Sequence, residues 1–575
     1  MNQNIPYSIT PVPLTIGVTA HRDLCPEQTP QIRQAAANFL TSLRDQFPHT
    51  PLRLLCALAE GGDQLMGQLA IDLGLELAVP IPFSLAEYRR DFSTEGALRV
   101  FDQLITQASQ VIELPRVGNY SISDLATNSD ARDMQYANLG VYLSDRCQVL
   151  MALWDGKSLN YPGGTSQVVH YHQFGQMRGV KGHFDRPSIL AEDDTDLVYH
   201  IVCSRRRDDG EPAEGLDPGT TRMLITDPER RQVDALPERY QQMIGRLGEY
   251  NRDGVDQDPL TLAKPDYLPG WSACLKEGTA LDNIARHFFT SDAMASVYQR
   301  RYLTALRSLA VVGLAMTCAF IAYADLDQPL MIYGFLLGFG AGLSLAWLAG
   351  RNQWHRKYLD YRALAEGLRV QFYWGLAGVS GRHRNDFAHD NFLQKQDLEI
   401  GWIRNVMRHV GMAEELGDPS VNLEQTIDHW VGADEDSGQL GFFLSRWQRM
   451  AKAAQRTRHI VRGCVWLSIC AAAALAALQF AMDERLVQAL LVAIGLMSVG
   501  VAVRELYANK TAQAELSKQY AYMYRVFRDA RLKLDSAESD QEKRDILQIL
   551  GEAALDEHAE WIQRHRERPL EQGSI

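Results

Sequence analysis

Four uncharged apolar runs, at 308–324, 330–350, 463–482 and 486–503, fall as two close pairs in the second half of the chain. Each is near the roughly 20 residues with which a helix crosses a bilayer. They predict two membrane hairpins. The first half has a different pattern, in which short apolar runs of strand length alternate with stretches of helical period. Strands are predicted at 12–22, 52–58, 76–81, 111–114 and 147–154, with helices at 31–46, 64–73 and 166–178 between or after them. Such alternation predicts a doubly wound, mostly parallel α/β sheet. Further strands are expected at 198–205 and 222–226. Helices at 236–254 and 281–304 then lead into the first apolar run with almost no linker. Residues 384–412 read as helical and 415–440 as a loop.

The expected organisation is therefore a Rossmann-like domain over 1–230, a helical connector over 231–305 and a first two-span module with its helix over 306–412. A linker and helix over 413–455 and a second two-span module over 456–575 complete the chain. Charge orients the spans. Arg300, Arg301 and Arg307 precede the first run, and Arg351, Arg356, Lys357 and Arg362 follow the second. Lys452, Arg456, Arg458 and Arg462 precede the third, and Arg504 and Lys510 follow the fourth. The hairpin tips hold only Arg485. Cations stay on the cytoplasmic side, so both tips are expected outside and both termini inside, in a multi-pass protein of the cytoplasmic membrane.

Within the second run, Gly334, Gly338 and Gly342 recur every fourth residue, a face that lets another helix approach closely. That face serves packing within one protomer or association into a homo-oligomer, and the pattern leaves both open. No run contains an ionisable residue, which argues against proton- or ion-coupled transport. A net charge of −13 argues against a nucleic-acid partner. The eight cysteines show no metal-ligand spacing, which argues for a reducing compartment and against zinc. No basic stretch followed by an apolar run opens the sequence, so insertion is expected to rely on the internal spans.

In doubly wound sheets, ligands bind beyond the C-terminal strand ends. Three polar turns are expected there. The first, Gly17 to Arg22 with Thr19 and His21, supplies a cation. The second, Glu60-Gly61-Gly62-Asp63, opens a helix with glycines that allow close backbone approach. The third follows Asp155 and contains Gly163-Gly164-Thr165, a helix start whose free N–H groups favour phosphate. Arg22 is a candidate for pairing with phosphate, and Glu60 or Asp63 for holding ribose hydroxyls. Taken singly, each glycine also has a purely structural explanation, and His21 one as a local hydrogen bonder.

At these residues the chain resembles the SLOG superfamily of Smf/DprA- and lonely-guy-like Rossmannoid domains. The resemblance runs through Gly17-Val18-Thr19-Ala20-His21-Arg22, Leu58-Ala59-Glu60-Gly61-Gly62-Asp63-Gln64-Leu65, Ser144-Asp145-Arg146, Leu153-Trp154-Asp155-Gly156 and Gly163-Gly164-Thr165-Ser166-Gln167, over roughly residues 10–210. It implies a nucleotide-derived ligand and no other cofactor. Many relatives are thought to sense signalling nucleotides in bacterial conflict. Two positions depart from the pattern. Ala20 stands where glycine is common, and Ser166, Gln167, Val168 and Val169 follow Thr165 where lonely-guy hydrolases carry a catalytic glutamate. The second half resembles SLATT-type two-span effectors, present twice: the run 357–372 after the second span is matched by 514–528 after the fourth. Arg362 and Glu366, four apart, also fit a simple helix-surface pair.

Three functions remain open on the sequence. The first is a cytosolic nucleotide sensor that alters the assembly or permeability of a four-span membrane region. The second is a membrane-anchored nucleotide hydrolase or glycosidase using Glu60, Asp63 or Asp155. The third is a structural or transport membrane protein with a degenerate Rossmann domain.

Overall fold

The computed structural model describes residues 9–117, 129–159, 161–177, 196–226, 232–256, 279–325, 328–379, 392, 400–411, 423–478 and 483–566. Of the expected helix at 384–412, residues 384–391, 393–399 and 412 lie outside them, as do residues 415–422 of the expected loop at 415–440, tip residues Leu326 and Asp327 and the last residues of the third run, 479–482. Two compact units emerge: residues 1–258 with 393–414, and 259–392 with 415–575.

The first unit is an α/β sheet. Its strands are β1 (Leu14–Ala20), β2 (Leu52–Leu55), β3 (Glu76–Ile81), β4 (Gln110–Glu113), β5 (Val149–Trp154), β6 (Leu197–Val202), β7 (Thr221–Leu224) and β8 (Gln232–Val233), in the order β4-β3-β2-β1-β5-β6-β7-β8. The first six are parallel, and β7 and β8 join antiparallel at one edge. Helices α1 (Thr29–Gln46), α2 (Gly62–Asp72), α3 (Glu95–Gln107), α4 (Ser129–Arg146) and α5 (Thr165–Phe174) make or follow the crossovers. The helices α3 and α4 were not expected from the sequence. The strand order reverses between β1 and β5, so the topological switch point lies where those two strands end.

Helix α6 (Glu238–Asp256) completes the local chain of this unit, but one further helix comes from far away. Residues Gly401–Val410, labelled α10 below, pack on α6. Trp402, Ile403, Val406 and Met407 are buried, Trp402 lies 5.4 Å from the Tyr250 ring, and Arg53 on β2 donates to His409 Nδ1 at 3.0 Å. The segment expected to belong to the first two-span module is thus part of the sheet unit.

The second unit is helical. Helix α7 (Ala280–Asp325) runs 46 residues, about 69 Å, without interruption. It is followed by α8 (Met331–Arg351) and α9 (Trp354–Ala377). After α10, a short helix at Leu423–Ile427 and a π-turn at Asp428–Gly432 replace part of the expected loop and bury Trp430 and Val431. Helix α11 (Gly438–Leu478), α12 (Glu484–Lys510), α13 (Gln513–Ser536) and α14 (Asp540–Arg566) close the unit. The expected boundaries at 305/306 and 455/456 fall inside α7 and α11, because helical periodicity continues unbroken from the polar to the apolar residues.

Among the described residues, four helices are long and apolar enough to cross a membrane, and their apolar windows are almost unburied by protein. The protein is thus a multi-pass membrane protein with an α/β N-terminal unit. Aromatic residues mark two levels of the first hairpin: Tyr323 and Tyr333 near the tip, and Trp347 at the far end of the second run, all exposed. From Tyr333 to Trp347 the helix rises about 21 Å, less than the roughly 30 Å of a hydrocarbon core. Gly334, Gly338 and Gly342 face α7. A Cβ on Gly338 would lie 2.5 Å from Met316 Cγ, while those on Gly334 and Gly342 would meet Ala319 and Val312. The small-residue face is therefore filled within the protomer.

The two hairpins follow one plan. After α8 the chain bends at Gln353 and after α12 at Ala512, both in the left-handed region with φ of 50° and 48°. Each bend is followed by a 24-residue helix. In step from the bend, Met523, Phe527, Ala530 and Leu534 stand where Leu364, Leu368, Gln371 and Gly375 stand, and all eight are buried.

Candidate functional site

Site residues gather at the C-terminal ends of β1, β2 and β5. Gly17 and Thr19 are not among those that reach the end: both lie buried within β1, and a Cβ on Gly17 would meet Cys147 Sγ at 2.7 Å. They set the packing of the sheet. His21 and Arg22 follow β1 directly. His21 is buried, and its Nε2 lies 3.2 Å from both the backbone nitrogen and Oδ1 of Asp155, across the switch point. Asp155 also accepts from the Lys157 amide at 3.0 Å. Burial would raise the Asp155 carboxyl, but the His21 and Lys157 hydrogen bonds outweigh it and hold the group below its ordinary range.

The Glu60–Asp63 turn opens α2 as expected. Its glycines admit the chain's own backbone: a Cβ on Gly61, where φ is 91°, would fall 2.1 Å from the Arg22 carbonyl oxygen, and one on Gly62 2.4 Å from Ala20 Cβ. The Gly62 amide donates to the His21 carbonyl at 3.1 Å. The lack of a Cβ at these glycines thus serves the packing of the turn against the end of β1. Glu60 accepts from the Ser93 amide at 3.0 Å and the Ser93 hydroxyl at 2.6 Å, just before α3. These bonds outweigh burial and hold its carboxyl down. Asp63 is buried and accepts from the Ala59 amide at 3.3 Å. Burial pushes its carboxyl up to about 7, against that hydrogen bond and the charge of Arg22.

Arg22 itself is exposed, its guanidinium 5.4 Å from the centre of the Tyr136 ring. Tyr136, on α4, is the hub of the site. Its hydroxyl donates to Asp91, which also pairs with Arg132, and Arg132 donates to Glu87 at 3.0 Å. Burial pushes the Tyr136 phenol up to about 12, so it remains a proton donor. Gly163, with φ of 71°, lies against Tyr136 on another side: a Cβ there would be 2.7 Å from the Tyr136 backbone carbon. Gly164 caps α5, whose first turn is Thr165-Ser166-Gln167 without a carboxylate. Ser166 and Gln167 anchor that turn to Leu159.

Tyr136, Arg132 and Asp91 were missed at the sequence level. The signal for Tyr136 and Arg132 was a helix at 129–146, whose apolar residues are too interspersed with Asp, Arg and Gln to show a clean stripe. The arrangement presents one exposed guanidinium, an aromatic face and a helix N-terminus around Tyr136. Its carboxylates are each bound to groups of the chain. That set of groups can bind an anion beside a planar ring. No protein-family model matches the chain, nor does any curated protein.

Proposed function

We propose that the chain is a nucleotide sensor of the SLOG type joined to two SLATT-like membrane hairpins, acting in bacterial conflict or stress response. In this reading both termini face the cytoplasm, and ligand binding changes the assembly or permeability of the four-span region. The observation that carries the reading is Arg22: an exposed cation at the end of β1, at the switch point of the sheet, sharing Tyr136 with the Gly163-Gly164 turn that opens α5. Phosphate at the α5 N-terminus and a base near Tyr136 fit those groups. Commitment of Glu60 to Ser93, of Asp63 to Ala59 and of Asp155 to His21 favours binding over hydrolysis.

Calorimetric titration of the full chain with mono- and dinucleotides tests the reading. Arg22→Ala is expected to weaken binding about 10- to 100-fold, the range of a charge-assisted hydrogen bond. Ligand-dependent dye release from vesicles containing the protein, lost in the same variant, is the expected readout of the membrane half. Equal binding by wild type and variant would overturn the site, and binding without any change in release or assembly would overturn the coupling.

A further inference from the structure

Between Ser437 and Met482 the chain carries six cations and no carboxylate, in a molecule whose net charge is −13. All six lie on α11, upstream of its apolar part. Arg446 turns back onto the Phe442 ring at 5.3 Å. The other five, Arg449, Lys452, Arg456, Arg458 and Arg462, are exposed, and none has a carboxylate partner among the described residues. The first hairpin treats several of its arginines differently. Arg286 pairs with Asp282, Arg356 with Asp360, and Arg362 with Asp292 and Glu366.

We infer that the basic collar around α11, with cations on opposite sides of the helix, is a docking surface for the anionic headgroups of the bilayer the protein crosses. Position and charge carry this together. Helix α11 passes from the basic stretch into the apolar one without a break, so its cations are held at fixed heights over the membrane. Trp466, 67% exposed one turn beyond Arg462, stands where an interfacial aromatic belt belongs. Arg462, Arg458 and Arg456 span about 9 Å of helix, close to one Debye length at physiological salt. Lys452 stands one turn further from the apolar part, and Arg449 is turned back to the Ser445 carbonyl at 3.2 Å, so the lower three arginines carry the surface. Juxtamembrane clusters of this size attract anionic lipid. Their lack of internal carboxylates leaves lipid phosphate as the complementary charge. The surface needs no ligand at Arg22, so it stands apart from the sensor reading.

The test uses the full chain in nanodiscs of equal parts phosphatidylglycerol and phosphatidylcholine, followed by mild extraction and mass spectrometry of the retained lipid. A disc has no inside, so membrane topology does not enter the result. Wild type is expected to retain phosphatidylglycerol preferentially, with a preference that falls as salt rises. The triple variant Arg456→Gln, Arg458→Gln, Arg462→Gln is expected to lower the ratio of the two lipids at least about fivefold. The triple lysine variant at the same positions is expected to keep it. A glutamine variant with the wild-type ratio would overturn the inference. So would a lysine variant that loses the preference, or a preference that does not respond to salt.

Discussion

Trp354–Ala377 and Gln513–Ser536 leave their membrane helices through the same left-handed bend and bury the same stripe, yet their surroundings diverge. The first is buried on nearly every side. Helix α14 lies on it: Trp374 donates to the Leu547 carbonyl at 3.1 Å, its indole packs on Gly551, and Arg566 reaches Asp360. The second buries only its stripe, and Tyr522 and Leu532 stand exposed. Two copies of one plan have become a packed core and an open arm. In the apolar runs, Gly338 is pressed against Met316, while a Cβ on Gly500 would have nothing within 4 Å.

The sharpest way to break this comparison is to cut equivalent positions. Trp374 and Lys533 are in step from their bends, one fully buried and one exposed. Trp374→Ala is expected to cost about 3–5 kcal/mol, and Lys533→Ala less than about 0.5 kcal/mol, read as unfolding of the full chain in detergent. Similar losses at both positions would mean the copies are equally packed. Next, Gly338→Leu is expected to destabilise by about 1–3 kcal/mol through overpacking, and Gly500→Leu to leave the melting temperature unchanged.

Smaller effects are expected at the bends. Ala512→Gly relieves a left-handed alanine and is expected to stabilise by about 1 kcal/mol. Gln353→Gly is expected to gain less, because the Gln353 side chain accepts from Arg356 at 2.7 Å. Equal gains would show that this hydrogen bond contributes nothing.

A parallel contrast within the sheet unit concerns two carboxylates three residues apart. Asp63, raised to about 7 by burial, binds its proton more tightly folded than unfolded, so its contribution to stability is present below about pH 4 and lost as pH rises toward 7. Glu60, held down, contributes in the opposite sense, and its contribution is lost as pH falls below its ordinary range. Asp63→Asn is expected to flatten the stability profile between about pH 4 and 7 in chemical denaturation of the full chain. A profile unchanged by the substitution would place the titration elsewhere.

Much of this was legible in the residues. The strand Glu76–Ile81 falls where its apolar run predicted, and the turns at Gly61-Gly62 and Gly163-Gly164 open helices as expected, because strand runs and glycine turns are local signals. What a glycine is for was not legible. Gly61 yields to Arg22, Gly17 to Cys147 and Gly338 to Met316, and each partner is distant in sequence or on another element. Tyr136 was hidden for the same reason: it matters through Arg22, Asp91 and Gly163, none of which is its neighbour in the chain.

The return of Gly401–Val410 to the sheet unit has a consequence for how the protein is made. The apolar face of α6 that Trp402 and Met407 cover is synthesised well before its cover, with the whole first hairpin between them. A ribosome must make that whole hairpin before the sheet unit can receive its last helix. Completion of the sheet unit is thereby timed by synthesis of a membrane element. Until then the nascent chain displays an unfinished apolar surface, the kind of mark that chaperones recognise.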